Sequence, residues 1–292
     1  MTKSVLSIEG LHKRFADKSV LKGISASVQR GEVIGLLGLN GAGKTTLLET
    51  ALGFALPDAG SVRLFGSESA LIVDEKLKHK VGFVPQQDEL LPQMTGKQYL
   101  GLIAEFYPSW NQELIDRLAQ EWSVPLDTMI QKLSVGQRQK LSILSALGHE
   151  PELIILDEPV ASLDPMARRQ FLKEIVSLAS NGDRTVLFST HIVSDLERVA
   201  SRVWIMKDGG LLVDDALDTL KERTVRLRLP ADAKLPAGFQ DAGILHRRSE
   251  HGIQVLTLSH WSEYHQQLLQ QSGLNAVVEP LSLEDIFLEL HA

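Results

Sequence analysis

Residues 38–45 combine glycines, a lysine and a threonine in a spacing that points directly to phosphate chemistry. Their sequence, Gly-Leu-Asn-Gly-Ala-Gly-Lys-Thr, matches the pattern G-x-x-x-x-G-K-[ST]. Glycines let backbone N–H groups converge on a phosphate, and a helix that begins here adds partial positive charge. Lys44 supplies a full charge for the β- and γ-phosphates, and Thr45 supplies a hydroxyl for Mg²⁺. The expected nucleotide contacts are Gly38, Asn40, Gly41, Ala42, Gly43, Lys44, Thr45 and Thr46.

Two adjacent carboxylates follow an apolar run later in the chain. Residues 153–156 are apolar throughout, as in a buried strand, and Asp157 and Glu158 come directly after them. The carboxyl edge of an open α/β sheet is where ligands bind. There Asp157 would help to hold Mg²⁺, and Glu158 would act as a general base on the attacking water. By themselves the two acids would more simply be solvated side chains; the glycine-rich loop favours the catalytic interpretation.

Composition excludes several classes of protein. The chain has 292 residues, no cysteine and a formal net charge of −7. A chain without cysteine forms no disulfides, iron–sulfur clusters or thiolate zinc sites. The acidic balance argues against a protein that coats nucleic acid, so no nucleic-acid partner is expected. Because neither a signal peptide nor a run of about 18–20 apolar residues is visible, another chain is expected to supply any membrane-spanning part.

The order of apolar and polar segments predicts an α/β fold. Strands that alternate with helices around the glycine-rich loop indicate a mainly parallel central sheet. Two alternating segments near the N-terminus, at 4–9 and 20–28, indicate an N-terminal antiparallel β subdomain. Residues from about 88 to 148 show helical periodicity and predict an inserted helical subdomain. The predicted core elements are strands at 32–37, 62–65, 153–156 and 185–189, a hairpin at 203–214, and helices at 44–52 and 165–180.

The pattern changes after about residue 220. A strand at 224–229, two strands around residues 251–252, a helix at 262–271 and a final helix from Leu283 predict a small C-terminal α+β domain. The predicted domains are therefore residues 1–222 and 223–292.

Leu133-Ser134-Val135-Gly136-Gln137 closely resembles the LSGGQ signature of ABC ATPases. As in that family, it precedes a helix and lies about twenty residues before the acidic strand. The resemblance implies that Ser134, Gly136 and Gln137 form a second phosphate clamp, and a serine at a helix N-terminus suits that role. Ser134 as an ordinary N-cap is also physically sound, and the two roles are compatible. The chain departs from the common family pattern at Val135, where a glycine is usual, and at Val160, where threonine is common.

Further family markers appear in order along residues 5–222. Phe15 matches the aromatic residue that stacks on adenine; alternatively it is a core residue at a strand end. Gln86 resembles the glutamine that contacts Mg²⁺, with Gln87 as the adjacent alternative. Residues 161–164 resemble the loop that crosses the dimer interface. His191 resembles the histidine that holds the γ-phosphate and the attacking water.

Membership of this family implies a P-loop NTPase fold and an ATP-binding, ATP-hydrolysing subunit of an ABC transporter. ATP and Mg²⁺ are the implied cofactors, and the implied partners are an integral membrane permease and a second ATPase subunit, expected to be an identical copy. The implied location is cytoplasmic, peripheral on the inner face of the cell membrane. The alternatives are a soluble ABC-type ATPase without a transport role and a non-catalytic nucleotide-binding regulator. The implied catalytic residues are Glu158, His191, Lys44 and Gln86, and the implied metal ligands are Thr45, Gln86 and Asp157.

Two further segments have competing interpretations. The C-terminal residues 282–287 resemble the ending of bacterial ABC-2 type exporter ATPases, which favours export; the alternative is a generic amphipathic helix. The aromatic residues within 106–110 would either line a groove for a helix of the permease or pack locally in the core.

Overall fold

The computed structural model describes residues 4–68, 74–87, 89–161, 163–179 and 184–292, without the side chains of Gln240 and Glu250. The chain divides into two compact units, Met1–Asp214 and Asp215–Ala292. The units divide before a helix at Leu217–Arg223, whereas the sequence predicts a domain boundary after residue 222. This helix is tied to the second unit, because the backbone N–H of Trp261 donates to the carbonyl of Arg223.

The described part of the first unit contains two β-sheets and the helices around them. Its strands are β1 (Ser4–Phe15), β2 (Lys18–Gln29), β3 (Val33–Gly38), β4 (Ala59–Leu64), β5 (Ser67–Glu68), β6 (Val81–Val84), β7 (Leu153–Leu156), β8 (Thr185–Thr190), β9 (Arg202–Lys207) and β10 (Gly210–Ala216). Its helices are α1 (Lys44–Ala51), α2 (Glu75–Lys78), α3 (Gly96–Ala104), α4 (Gln112–Glu121), α5 (Val135–Leu147), α6 (Pro165–Ala179) and α7 (Val193–Leu196).

The central sheet has the order β10-β9-β3-β8-β7-β6, and the pairs β9–β3, β3–β8, β8–β7 and β7–β6 are parallel. The predicted mainly parallel sheet is confirmed. Strands β3, β7 and β8 are buried at every position, as expected for parallel strands covered on both faces. Parallel pairing brings the carboxyl ends of these strands to one edge of the sheet. The glycine-rich loop follows β3 at this edge, and the acidic pair follows β7.

The sequence reasoning missed strand β6. It is short and contains Gly82, a residue that weakens a strand pattern. A Cβ at Gly82 would lie 2.4 Å from the backbone carbonyl oxygen of Ala146, so glycine is required there by close backbone approach. The short helices α2 and α7 were also missed, because four residues are too few to show helical periodicity.

The N-terminal sheet has the order β2-β1-β4-β5 and is antiparallel, as predicted. Strand β1 extends well beyond the predicted 4–9, because the sequence alternation is interrupted at Gly10. That residue has φ 55°, and the register of β1 against β2 shifts between Ile8 and Leu11. Such a bulge hides the continuation of a strand from a period-2 pattern.

Helices α3, α4 and α5 lie within the range predicted for the helical subdomain, whose first residue, Asp88, is outside the described residues. Side chains cap their N-termini: Thr95 caps α3 with a capping box, Asn111 caps α4 and Ser134 caps α5. Trp122, at the end of α4, contacts Phe171 of α6 edge-on.

None of the helices among the described residues has the length and apolar character that a membrane span requires.

The second unit is a small α+β fold, as predicted. Its elements are α8 (Leu217–Arg223), β11 (Val225–Pro230), β12 (Ile244–Glu250), β13 (Ile253–Leu258), α9 (Glu263–Ser272), β14 (Val277–Pro280) and α10 (Leu283–His291). The sheet order is β12-β13-β11-β14, with antiparallel pairing. Leu227 and Leu256 pack with Leu269 of α9 in one core. Arg226, on the opposite face of β11, meets α10.

A buried carboxylate fastens α10 to this sheet. Glu289 is 4% exposed, and its two oxygens each lie 3.1 Å from a guanidinium, one from Arg226 of β11 and one from Arg248 of β12. A buried charge needs such partners, because removal from water is costly. The two cations therefore set the position of the last helix.

Replacing Glu289 with alanine is expected to destabilise the second unit by about 2 kcal/mol, since two guanidiniums lose a shared, buried partner. The exposed Glu284 on the same helix is the matched control, and Glu284→Ala is expected to change stability by less than about 0.5 kcal/mol. Hydrogen exchange of the β11 and β12 amides in the full chain measures this directly. Equal exchange rates in the two variants would contradict the fastening role of Glu289.

Candidate nucleotide-binding site

The loop between β3 and α1 has the backbone conformation that a phosphate-binding turn requires. Gly41 has φ 81° and Gly43 has φ 106°, both in the left-handed region that favours glycine. At Gly43 a Cβ would also lie 3.2 Å from the carbonyl oxygen of Val20 and from a methyl group of Leu21. Glycine is therefore required at residue 43 both by its φ angle and by the space available.

Lys44 is buried within this loop at the first turn of α1. Its Nζ donates to the carbonyl oxygen of Gly38 at 2.8 Å and lies 3.3 Å from a carboxylate oxygen of Glu158. Both charged side chains are less than a tenth exposed. The ammonium is thus held at the loop by a carbonyl and a carboxylate, as a buried charge requires.

Asp157 is held by two hydroxyl groups at the end of β7. Its Oδ2 accepts from Oγ1 of Thr45 at 2.6 Å, and its Oδ1 accepts from Oγ of Ser189 at 2.5 Å. Asp157 is 1% exposed, so these bonds satisfy a carboxylate that water barely reaches. The predicted proximity of Thr45 and Asp157 is found.

Ser189 is a site residue that sequence reasoning missed. Its hydroxyl donates to Asp157 and also accepts from the backbone N–H of Glu158 at 2.8 Å. The signal was the register of parallel strands: Leu156 pairs with Phe188, so the residues after each of them are neighbours. Only knowledge that β7 and β8 are adjacent would have exposed it.

Glu158 has a strained backbone and a paired side chain. Its φ is 49°, uncommon for a residue other than glycine, and such conformations cluster at functional sites. One carboxylate oxygen faces Lys44, and the other lies 2.8 Å from Nδ1 of His191. The ring of His191 is half exposed, whereas the carboxylate is buried. The predicted base and the predicted histidine are therefore in direct contact.

Lys44, Thr45 and Glu158 border a cavity of about 380 Å³ at the carboxyl edge of the sheet. Asp157 and His191 are not part of its lining; they contact Thr45 and Glu158, respectively. Of the predicted site residues, the cavity is lined by Asn40, Gly41, Gly43, Lys44, Thr45, Thr46, Gln86 and Glu158. Gln86, and not its neighbour Gln87, is among them, which favours the first of the two predicted assignments. Lys18 and Val20 also line the cavity and were not predicted. They come from the start of β2, which no local motif links to the loop.

Phe15, Gly38 and Ala42 have other positions. Phe15 is 50% exposed, so the alternative of a core residue is wrong. It pairs with Lys18 across the β1–β2 turn, and the ammonium of Lys13 lies 5.1 Å from its ring centroid. Gly38 contributes its carbonyl oxygen to Lys44, and Ala42 is buried. The adenine-stacking role of Phe15 stays a prediction.

The signature segment lies outside this cavity within the chain. Among the described residues that line the cavity, none comes from α5. Ser134 is an exposed N-cap: its Oγ accepts from the N–H of Gln137 at 3.2 Å, and the Gln137 side chain accepts from the N–H of Ser134 at 2.9 Å. The N-cap interpretation is therefore correct, and it leaves the phosphate-clamp role open.

The segment predicted to cross a dimer interface is only partly described. Ser162 lies outside the described residues, whereas Asp164 caps α6 by accepting from the N–H groups of Met166 and Ala167. Those bonds, that of Ala167 first, lower the pKa of the Asp164 carboxyl. The loop thus ends in a negative charge at a helix N-terminus.

Comparison with known proteins places this geometry in a family. The family model described as ABC transporter matches residues 21–161. Over 304 aligned residues the chain is 32% identical to Nod factor export ATP-binding protein I of Burkholderia lata, covering 99% of this chain and 98% of that protein. This chain belongs to the ABC transporter ATP-binding family.

Other ABC proteins agree with this assignment. An uncharacterised ABC transporter ATP-binding protein of Bacillus subtilis is 34% identical over 77% of this chain and 73% of its own length. A solved structure of an ATP-binding subunit of an ABC transporter superposes with a TM-score of 0.68 at 28% identity, covering 75% of this chain and 92% of that one. The predicted ABC fold is confirmed, and with it ATP binding and the general ATPase activity of the family.

Proposed function

We propose that this ABC protein powers transport through a separate membrane permease by hydrolysing ATP between two copies of itself. The observation that carries the proposal is the contact network of Lys44, Thr45, Asp157, Glu158 and His191, three of which line one cavity, while the signature serine is exposed elsewhere. One chain therefore presents half of a site and the complementary half on different surfaces. Two copies related by a two-fold axis would complete both sites.

Exposure of Ser134 at the tip of α5 supports the two-copy arrangement. The hydroxyl and the first N–H groups of a helix form an anion site when they are free to face one. Val135 is also exposed, at 56%, although it is apolar. In the proposed pair this helix tip faces the triphosphate held by the partner's loop, and ATP becomes part of the interface. ATP then shifts the population toward the closed pair because it binds that state better.

Mg²⁺ fits the oxygen groups at this edge of the sheet. Thr45 and Asp157 provide a hydroxyl and a carboxylate that already touch, and Gln86 lines the same cavity. Oxygen ligands in small number, with phosphate oxygens completing the set, are what Mg²⁺ prefers. We assign its binding to these three residues. When bound, it would neutralise charge that develops on the phosphates.

In the proposed reaction each side chain of the site has a separate role. Lys44 binds the β- and γ-phosphates and leaves its contact with Glu158 to do so. Glu158 then accepts the proton of the attacking water, and His191 orients that water and the γ-phosphate through its ring. Ser189 holds Asp157 and the backbone of Glu158 in register. Cleavage and product release would remove the charge that joins the two copies, and the pair would open.

Transport, and export in particular, is supported by the relatives. The Burkholderia lata protein named for Nod factor export aligns over nearly the whole of both chains, including the second unit. We therefore propose an export system, with this subunit in the cytoplasm on the inner face of the cell membrane and an integral membrane permease as its partner.

The aromatic segment after α3 offers a place for the permease. Phe106 is 69% exposed beside a cavity of about 510 Å³ that His79 and Tyr107 also line. Tyr107 itself stacks on the buried His149, with ring centroids 3.9 Å apart, and burial lowers the pKa of His149 to about 4. Both sequence interpretations thus have support: local packing for Tyr107, and a free surface for Phe106.

Two measurements on the full chain test the proposed function. Purified protein with ATP is expected to release phosphate only when Mg²⁺ is present, and chelation should abolish release. Expressed with its neighbouring genes and solubilised in detergent, it is expected to co-purify with an integral membrane protein. Co-purification with ribosomes instead would support the soluble ATPase, and absence of phosphate release would support the regulator; either outcome contradicts the proposal.

A further inference from the structure

A second cleft lies on the first unit, between α6 and the turn that follows α7. It has a volume of about 320 Å³. Its floor is apolar and consists of Leu172, Val176 and Val199. Leu172 is buried, whereas Val176 is 42% exposed, so apolar surface is open to solvent along α6. None of the nucleotide-site residues lines this cleft.

Three cations form the rim of the cleft. Arg169 and Lys173 lie one turn apart on α6, and Arg198 faces them from the turn after α7. Among the described residues, no carboxylate lines the cleft, and neither Arg169 nor Lys173 has an ion-pair partner. All three side chains are exposed. The chain as a whole has a net charge of −7, and no ion pair among the described residues accounts for this local excess of positive charge.

An ion pair also links the two helices beside the cleft, α6 and α7. Nε of Arg168 on α6 lies 3.5 Å from Asp195 on α7, and burial raises the pKa of Asp195. Arg168 is therefore already paired within the fold. Arg169, the next residue, lies at the rim of the cleft and has no ion-pair partner among the described residues. The apolar floor is therefore held between two connected elements.

We propose that this cleft docks an acidic amphipathic segment of a partner protein. Leucine-like side chains of the segment would fill the apolar floor, and its carboxylates would pair with Arg169, Lys173 and Arg198. This is the helix-in-groove mode of recognition with charge complementarity at the rim. Charge and shape thus select the partner together: an acidic segment without apolar side chains, or an apolar one with lysines, would not fit.

The chemistry of the cleft favours a peptide over a nucleic acid. Nucleic acids need phosphate contacts along a strand and aromatic side chains on which bases stack. The described lining of this cleft contains no aromatic residue, and its three apolar residues would gain nothing from a phosphate backbone. An anionic lipid would satisfy the same rim charges, so the experiment must separate it from a peptide.

A designed peptide tests the proposal with the full chain. The probe is a fluorescein-labelled helix with leucines at i, i+3, i+4 and i+7 and glutamates between them, measured by fluorescence anisotropy. Wild-type protein is expected to bind it, and the double variant Arg169→Glu/Lys173→Glu should weaken binding at least about tenfold, because two rim cations become repulsive. Phosphate release from ATP should stay unchanged in that variant.

Controls fix the interpretation. The double variant Lys97→Glu/Lys234→Glu carries the same charge change at exposed lysines elsewhere and is expected to alter binding by less than about twofold. Probes with lysine for glutamate, or serine for leucine, should not bind. The proposal is overturned if wild-type protein does not bind the acidic probe, or if the cleft variant binds it as tightly as wild type does. It is also overturned if phosphatidylglycerol vesicles bind through these cations while the peptide does not.

Discussion

Glu158→Gln is expected to lower the rate of ATP hydrolysis at least about 100-fold while ATP binding persists. Glutamine has nearly the shape of glutamate and can still contact His191, but it cannot accept a proton from water. It also removes the negative charge that lies 3.3 Å from Lys44, so the ammonium is freer to meet the triphosphate. The expected result is therefore a variant that holds ATP and does not cleave it.

Single-turnover phosphate release and equilibrium ATP binding measure the two effects separately. The matched control is Glu152→Gln, which changes a carboxylate at the other end of β7, where it pairs with Lys80. That variant is expected to hydrolyse within about threefold of wild type. If Glu158→Gln hydrolyses ATP at the wild-type rate, Glu158 is not the base.

Ser134→Asp is expected to abolish hydrolysis without unfolding α5. Aspartate is a good N-cap, so the bond to the N–H of Gln137 is preserved. Its negative charge would, however, meet the γ-phosphate that the partner copy presents in the closed pair. We expect a loss of at least about 100-fold in phosphate release, with ATP affinity of the open chain unchanged.

Thr95→Asp is the control for this substitution. Thr95 caps α3 with the same capping box and the same distances, 3.2 Å to the N–H of Gln98 and 2.9 Å from that side chain to its own N–H. It has no proposed role at the nucleotide. Phosphate release close to wild type from Thr95→Asp, and almost none from Ser134→Asp, separates the charge effect from the cap. Equal loss in both would assign the defect to folding.

Much of the fold follows from local sequence patterns. Strand β7 has the predicted bounds, because an unbroken apolar run determines them, and helix α4 lies within the predicted helical subdomain. The loop at 38–45 was equally predictable, because its conformation depends on the glycines, lysine and threonine of the loop itself. Strand β6, which Gly82 interrupts, and helix α7, which has only four residues, gave no signal.

The part of the site that sequence did not reveal depends on distant strands. Ser189 reaches Asp157 only because β7 and β8 are paired in one register, and Lys18 and Val20 reach the cavity only because β2 lies beside the loop. Ser134 illustrates a different limit. Its type and position predict both a cap and a phosphate clamp, and the structure of one chain confirms the first without testing the second.

Complementation between two inactive variants tests most directly whether each site is built from two copies. Lys44→Ala removes the phosphate-binding lysine but leaves the signature intact, whereas Ser134→Asp does the reverse. Each alone is expected to be inactive. Mixed in equal amounts at saturating concentration, they should recover about a quarter of the wild-type phosphate release, since about half of the pairs are mixed and each has one complete site. A mixture as inactive as its components would contradict the account.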